Sequence, residues 1–248
     1  MPEPAVPEPA VPDNTGTLPG RPVLVLASSS PSRLSVLRAA GTEPLVVVPD
    51  VDEDAAVAEL TDRLADRGVA PTPEQTVVHL AEVKADAVAG RLAADGGRDT
   101  TAGVLTGDPG PDLLSDAVIV AGDSMLLLDG RLQGKPHTVE HTVERWKAQR
   151  GRTATLVTGH AVVHRGRRIS VASSTQVHFA RVSDRDIEAY AATGEPLECA
   201  GAFTLEALGG WFIDRVDGDP SGVIGLSLPV LRRALEEFGL SVSDFWTR

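Results

Sequence analysis

The chain has little cysteine and few aromatic side chains, and each shortage limits what the protein can be. Among its 248 residues Cys199 is the single cysteine, so no disulfide can form within the chain. Dispensing with disulfides is typical of a reducing compartment and predicts a cytoplasmic location. Aromatic residues make up 4% of the chain, so Val, Leu and Ala must fill most of any core.

Basic charge and long apolar runs are also missing. The formal net charge is −12, which argues against a general binder of nucleic acid or of membrane surfaces. No apolar run approaches the roughly 20 residues that a membrane-spanning helix needs. We therefore expect neither nucleic acid nor a membrane among the partners, and a polyanionic ligand would need a local basic pocket.

The first twenty residues lack the basic and apolar regions of a signal peptide. They form a short repeat rich in Pro and Glu, a composition that cannot bury enough apolar surface to order itself. The sequence predicts a disordered tail over residues 1–20 and a single domain over residues 21–248.

Lysine is scarce, although the chain has 23 Lys and Arg residues together. Only Lys84, Lys135 and Lys147 are lysines. A lysine in a chain that otherwise uses arginine indicates a position that needs a compact ammonium group rather than a planar guanidinium.

Several catalytic motifs are absent. The chain has no Gly-x-Ser-x-Gly elbow, no Cys–His arrangement and no glycine-rich phosphate loop. Its histidines form no metal-spaced pair with a supporting glutamate.

The central segment combines an acid and a cation. Val118–Ala121 predicts a buried strand and Met125–Leu128 a second one, followed by a type I′ turn at Asp129–Gly130. Asp123 is then expected just beyond the end of a core strand, and the hairpin brings Lys135 back towards it. This combination suits a metal–polyphosphate substrate. For either residue alone, a turn aspartate or a surface lysine is the more common interpretation.

A serine-rich turn precedes the first predicted helix. Ser30 is expected to cap this helix and Pro31 to open it, after a strand that ends before Ser28. The free amides of a helix N-terminus favour anions, and Arg33 adds a charge with bidentate reach. An ordinary serine-capped turn explains the hydroxyls equally well.

Lys84 lies on the apolar face of a predicted helix from Pro73 to Arg91, whose N-terminus carries a capping box of Thr72 and Gln75. A lysine on such a face either extends along the helix to solvent or points into a site that supplies a partner. The pattern leaves both interpretations open.

An acidic run, Asp50 to Asp54, follows a short predicted strand. Carboxylates in such a position can hold Mg²⁺, which takes one or two of them together with waters and phosphate oxygens. Asp52 and Glu53 are the preferred candidates, and a solvated acidic loop is the alternative for the run as a whole.

Strands and helices alternate early in the chain and a long hairpin lies in its middle. This order predicts an α/β fold with a mixed sheet flanked by helices.

Taken together and in this order, the motifs resemble the Maf family of nucleoside triphosphate pyrophosphatases. The resemblance runs from about Val23 to Leu240. It rests on these segments: Leu26–Arg33, Leu80–Ala85, Ala121–Ser124, Gly134–Pro136, Thr158–Gly159, Glu195–Pro196, Ala200–Phe203 and Gly218–Leu226.

The resemblance implies an elongated fold similar to inosine triphosphate pyrophosphatases, with a central cleft between two lobes. It implies hydrolysis of a nucleoside triphosphate to the monophosphate and pyrophosphate, assisted by Mg²⁺ or alternatively Mn²⁺. By position, Asp123 is implied as general base and metal ligand, and Asp52 as a second metal ligand. The implied substrate-binding residues are Ser28, Ser30, Arg33, Lys84, Ser124, Lys135 and Glu206. Whether the protein is a monomer or a homodimer stays open.

The chain departs from family members that prefer uridine or thymidine nucleotides. Ser32, Ser124 and Glu206 stand where those members carry Arg, Thr and Gln. A glutamate at position 206 resembles the branch of the family that takes 7-methylguanosine triphosphate. A carboxylate can accept two hydrogen bonds from a guanine edge.

Two other functions compete with hydrolysis. A nucleotidyltransferase can also carry an acidic strand end and a Gly-Lys-Pro segment, but it would be expected to have glycine where this chain has Ser28–Ser30. A division-control protein could bind nucleotide with little or no turnover, although intact Asp123, Lys84 and Lys135 argue against it.

Overall fold

A computed structural model describes residues 22–95 and 116–247. The predicted tail, residues 1–20, lies outside the described residues, and so do residues 96–115. The division into a tail and one domain therefore stays a prediction.

In the part of the chain that the structure describes, seven strands form one mixed sheet. They are β1 (Leu24–Ala27), β2 (Leu45–Val46), β3 (Val118–Leu128), β4 (Arg131–Gln133), β5 (Thr153–His164), β6 (Arg167–Phe179) and β7 (Ile213–Asp217). The order across the sheet is β2-β1-β3-β5-β6-β7, and β4 pairs with β3. Pairing is parallel between β1 and its two neighbours and antiparallel elsewhere. The predicted mixed α/β fold is confirmed.

Within residues 22–95 and 116–247, seven α-helices flank the sheet. They are α1 (Pro31–Ala39), α2 (Glu53–Ala65), α3 (Pro73–Asp95), α4 (Val139–Gln149), α5 (Asp184–Ala192), α6 (Pro220–Ile224) and α7 (Leu228–Glu237). The capping box of α3 is confirmed, because the Thr72 hydroxyl accepts from the Gln75 amide at 3.2 Å and the Gln75 side chain accepts from the Thr72 amide at 2.9 Å. Within the described ranges, no helix is both long and apolar enough to cross a bilayer.

The central segment differs from its prediction in one respect. Val118 to Leu128 form one continuous strand rather than two, so Asp123 lies inside β3 and not beyond its end. The reason is β5, which is long enough to pair with β3 from Val118 to Leu127 without a break. The predicted turn at Asp129–Gly130 is confirmed, since both residues have positive φ (51° and 75°).

The opposite edge of β3 is interrupted. Residues 118–121 pair with β1 and residues 126–128 pair with β4. Between them, within the part of the chain that the structure describes, Gly122 to Met125 have no strand partner on this edge. Asp123 therefore lies where the parallel pairing with β1 ends. In open α/β sheets, ligand sites lie at such carboxyl ends of the parallel strands.

Separate cores lie on either side of this interruption and form two lobes. In the first lobe, helices α1 and α7 pack on one face of β1 and β3, and α3 packs on the other. In the second lobe, the far ends of β3, β5 and β6 pack against α4 and α5 around the fully buried Trp146. The interruption in β3 thus lies between the two cores.

Gly159 lets α3 approach the sheet. It lies opposite Asp123 on β5, and a Cβ added there would be 2.2 Å from the Val77 carbonyl oxygen of α3. Only glycine is compatible with this contact. The close approach brings the next turns of α3, including Lys84, over Asp123.

Candidate active site

Lys84 and Asp123 form a buried ion pair at the centre of the site. The Lys84 ammonium donates to Asp123 Oδ1 at 2.7 Å, and the two side chains are 8% and 9% exposed. Val77, Leu80, Ala81 and Val88 on the same helix face are fully buried. Lys84 therefore points into a site with a partner and does not extend to solvent.

Glu53 is the second carboxylate of the site. At the first residue of α2, it contacts the same Lys84 ammonium at 2.8 Å and is half exposed. Asp52 precedes it as the N-cap, where one of its oxygens accepts from the Ala55 amide at 2.9 Å, and its side chain is exposed. The structure therefore brings Glu53 to Lys84 and gives Asp52 a capping contact.

The two carboxylates have opposite pKa shifts. Burial raises the pKa of Asp123 above its ordinary value, against the opposing charges of Lys84 and Arg33. Burial also acts to raise the pKa of Glu53, but the hydrogen bond and charge of Lys84, with Lys135 and Arg33, outweigh it and hold that pKa below its ordinary value. Two carboxylates that differ in this way are suited to different chemical roles.

Arg33 is held at the other face of β3. Its Nε donates to the Gly225 carbonyl at 2.8 Å, Nη1 to Ser28 Oγ at 3.1 Å and Nη2 to Ser124 Oγ at 3.3 Å. Burial lowers the pKa of Arg33, and the charges of Asp123 and Glu53 oppose that shift. The guanidinium therefore adds a cation beside the Asp123–Lys84 pair.

The three serines that were predicted to bind substrate make different contacts. Ser30 caps α1 as predicted, accepting from the Arg33 amide at 3.4 Å. Ser28 accepts from the Ser30 amide as well as from Arg33. Ser124 contacts Thr158 Oγ1 at 3.0 Å. Ser28 and Ser124 thus hold Arg33, and the predicted contact of all three serines with substrate stays a prediction.

Lys135 and Glu206 lie on the second-lobe side. The Lys135 side chain is 49% exposed and 3.5 Å from Glu198. Its positive charge also helps to lower the pKa of Glu53. Glu206 is exposed and accepts from the Leu205 amide at 3.0 Å. Among the described contacts, neither residue touches the Asp123–Lys84 pair, so their predicted roles depend on a substrate that extends from the gap in β3 to the second lobe.

Glu195 organises the loop that carries Glu206. Its carboxylate accepts from the Tyr190 hydroxyl, the Thr204 hydroxyl and the amides of Leu208 and Gly209. From the sequence, Glu195 was noted only as part of the Glu195–Pro196 segment that resembles the Maf family. Its anchoring role could not be predicted, because the loop begins nine residues later in the chain.

A divalent cation fits the donor set. Asp123 Oδ2 is buried and has no hydrogen-bond partner, so a second oxygen of this carboxylate is free. Within residues 22–95 and 116–247 no group of three or more His, Cys, Asp or Glu side chains forms a complete cage. One or two carboxylates completed by water and phosphate oxygens are the usual set for Mg²⁺, and Asp123 and Glu53 supply such a set.

Replacing Lys84 with methionine tests the buried pair. Lys84→Met leaves the Asp123 carboxylate buried without its nearest cation, which we expect to lower the free energy of unfolding by about 3 kcal/mol at pH 8. When the pKa of an acid is higher in the folded than in the unfolded protein, the free energy of unfolding falls as pH rises between the two pKa values. The loss caused by Lys84→Met should therefore be smaller at pH 5 than at pH 8. Urea unfolding at both pH values measures it.

Two controls accompany this test. Lys84→Met combined with Asp123→Asn should regain most of the stability, because both charges of the buried pair are removed together. Lys147→Met removes an exposed lysine 3.6 Å from Asp184 and should change stability by no more than about 0.5 kcal/mol. A harmless or stabilising Lys84→Met would mean that Lys84 extends to solvent.

Comparisons with known proteins identify the family of the chain. The family profile described as "Maf-like protein" matches residues 23–238. The chain is 59% identical over 225 residues to a nucleoside triphosphate pyrophosphatase of Corynebacterium aurimucosum, covering 91% of this chain and 98% of that protein. A protein of the same name from Corynebacterium efficiens is 55% identical, with 91% and 99% covered. One from Rhodococcus jostii is 51% identical, with 90% and 95% covered. The chain belongs to the family of Maf-like proteins.

Proposed function

We propose that this protein is a nucleoside triphosphate pyrophosphatase, which hydrolyses its substrate to the nucleoside monophosphate and pyrophosphate with Asp123 as the general base. The observation that carries the proposal is the buried Asp123 carboxylate, which has one oxygen bonded to Lys84 and the other free. The names of the relatives support the same reaction.

Asp123 is suited to orient and deprotonate water. Lys84 fixes the carboxylate through Oδ1 and leaves Oδ2 to accept a proton. Its raised pKa makes it a stronger base than an exposed aspartate, which favours proton transfer from an attacking water.

Three cations are available for the phosphates. Lys84 and Arg33 flank Asp123 from opposite faces of β3, and Lys135 lies on the second-lobe side. Phosphoryl-type transition states depend on positioning and charge neutralisation more than on covalent chemistry. Cations on both sides of the cleft can hold a triphosphate across it.

Asp123 and Glu53 are the residues that would hold Mg²⁺ or Mn²⁺. A bound cation would neutralise phosphate charge and orient the triphosphate. The lowered pKa of Glu53 keeps this carboxylate ionised for such a role. A cytoplasmic location stays a prediction, and the oligomeric state stays open.

Pyrophosphate release tests the function. Wild-type protein should release pyrophosphate from at least one standard or modified triphosphate, with the monophosphate in equal amount. Asp123→Asn keeps the shape and removes the base, so we expect kcat to fall by roughly 10²-fold or more with an unchanged fold by circular dichroism. Nucleotide binding without turnover in the wild type would favour a binding protein. Near-normal turnover by Asp123→Asn would rule out this base.

A matched pair of variants tests the metal ligand. Glu53→Gln should raise the Mg²⁺ concentration for half-maximal turnover by roughly tenfold. Asp52→Asn should leave it unchanged, because asparagine preserves the cap of α2. The opposite result would assign the cation to Asp52, as the resemblance implies.

Glu206→Gln tests base choice. A carboxylate facing the donors of a guanine edge gains two hydrogen bonds, whereas facing a uracil carbonyl it places acceptor against acceptor. We expect guanine triphosphates, including 7-methylated ones, to have a higher kcat/KM than UTP or dTTP, and Glu206→Gln to narrow the difference. A preference for UTP or dTTP that the variant leaves unchanged would mean that the base is recognised elsewhere.

A further inference from the structure

Arg33 uses three of its donors within the protein. A guanidinium has five N–H groups, and Gly225, Ser28 and Ser124 each accept one. One N–H remains on Nη1 and one on Nη2. Two neighbouring donors of this kind match the bidentate geometry of a phosphate, provided that the guanidinium plane is fixed.

The Gly225 carbonyl that fixes Nε belongs to a tight turn, residues 225–227. Gly225 has φ 125°, and a Cβ there would be 3.3 Å from Arg33 Cγ, so the arginine lies directly against the turn backbone. The amides of Gly225 and Leu226 both donate to the Ser221 carbonyl. The amide of Ser227 is the remaining donor of the turn.

That donor is bonded to a buried histidine of β5. The Ser227 amide donates to His160 Nε2 at 2.8 Å, and the His160 side chain is 1% exposed. Nε2 must be unprotonated to accept, which places the ring proton on Nδ1. Burial lowers the pKa of His160 to about 4, so the ring is neutral and keeps this acceptor near neutral pH.

A second route joins Arg33 to the same strand. Ser124, which accepts from Arg33, contacts Thr158 Oγ1, and Thr158 donates to the Gly222 carbonyl at 2.9 Å. Thr158 and His160 are two residues apart and share one face of β5. Gly159, between them in the sequence, faces the other side of the sheet, where α3 packs.

We infer that His160 is a positioning residue for phosphate binding, which holds the Arg33 guanidinium in place through the 225–227 turn. The inference rests on the proposed function, since it takes the free donors of Arg33 to bind the triphosphate. His160 touches neither Arg33 nor Asp123 in the described contacts, so its effect must pass through the backbone of the turn.

A double-mutant cycle with Arg33 separates this role from general stabilisation. His160→Leu removes the acceptor, and we expect kcat/KM for GTP hydrolysis to fall roughly tenfold in a folded protein. In an Arg33→Lys background, which lacks the Nε contact, the same substitution should change kcat/KM by less than about twofold. His160→Gln, which can place an acceptor oxygen near the Nε2 position, should recover most of the loss.

His164→Leu is the matched control. His164 is also buried, lies on the same face of β5 and contacts the Ala117 carbonyl rather than the turn. It should leave kcat/KM near the wild-type value even if it lowers Tm. If His160→Leu does not fold, His160→Met, with a much weaker acceptor, replaces it in the cycle.

In the same four proteins of the cycle, the Kd of the α,β-methylene analogue of GTP is also measured, because binding of this analogue needs no turnover. Equal losses in both backgrounds, or full kcat/KM and unchanged Kd in His160→Leu, would overturn the inference. A wild type that binds the analogue but hydrolyses no triphosphate would refute the proposed function alone, and the Kd cycle would still decide the role of His160.

Discussion

The site depends on one buried ion pair, between Lys84 of α3 and Asp123 of β3. A buried charge is tolerated only with a close partner, so the Asp123 carboxylate depends on Lys84, whose ammonium Glu53 also contacts. The pair forms because Gly159 admits the α3 backbone against β5 directly opposite Asp123. Helix packing and site chemistry are therefore set by the same contact.

The interrupted edge of β3 places this pair between the two lobes. β1 covers the first part of that edge and β4 the last, and the four residues between them lie between two separate cores. Lys84 and Glu53 approach from one face of the sheet and Arg33 from the other. A polyanion that enters the gap meets cations from both faces.

Much of this arrangement could be predicted from local patterns. Helix caps at Ser30 and Thr72, the Asp129–Gly130 turn and the apolar face bearing Lys84 all depend on residues close in the chain. The choice between the two interpretations of Lys84 could not be made in that way, because its partner is 39 residues away. The continuity of β3 depended on the length of β5, and the contacts of Glu53 and His160 depended on tertiary packing.

A crystal structure with the α,β-methylene analogue of GTP and Mn²⁺ tests the central claim most directly. The account predicts the triphosphate in the gap of β3, with its α phosphate beside the free Oδ2 of Asp123 and its phosphate oxygens on Lys84 and Arg33. A triphosphate bound elsewhere, with the Lys84–Asp123 pair closed and without phosphate contacts, would contradict it.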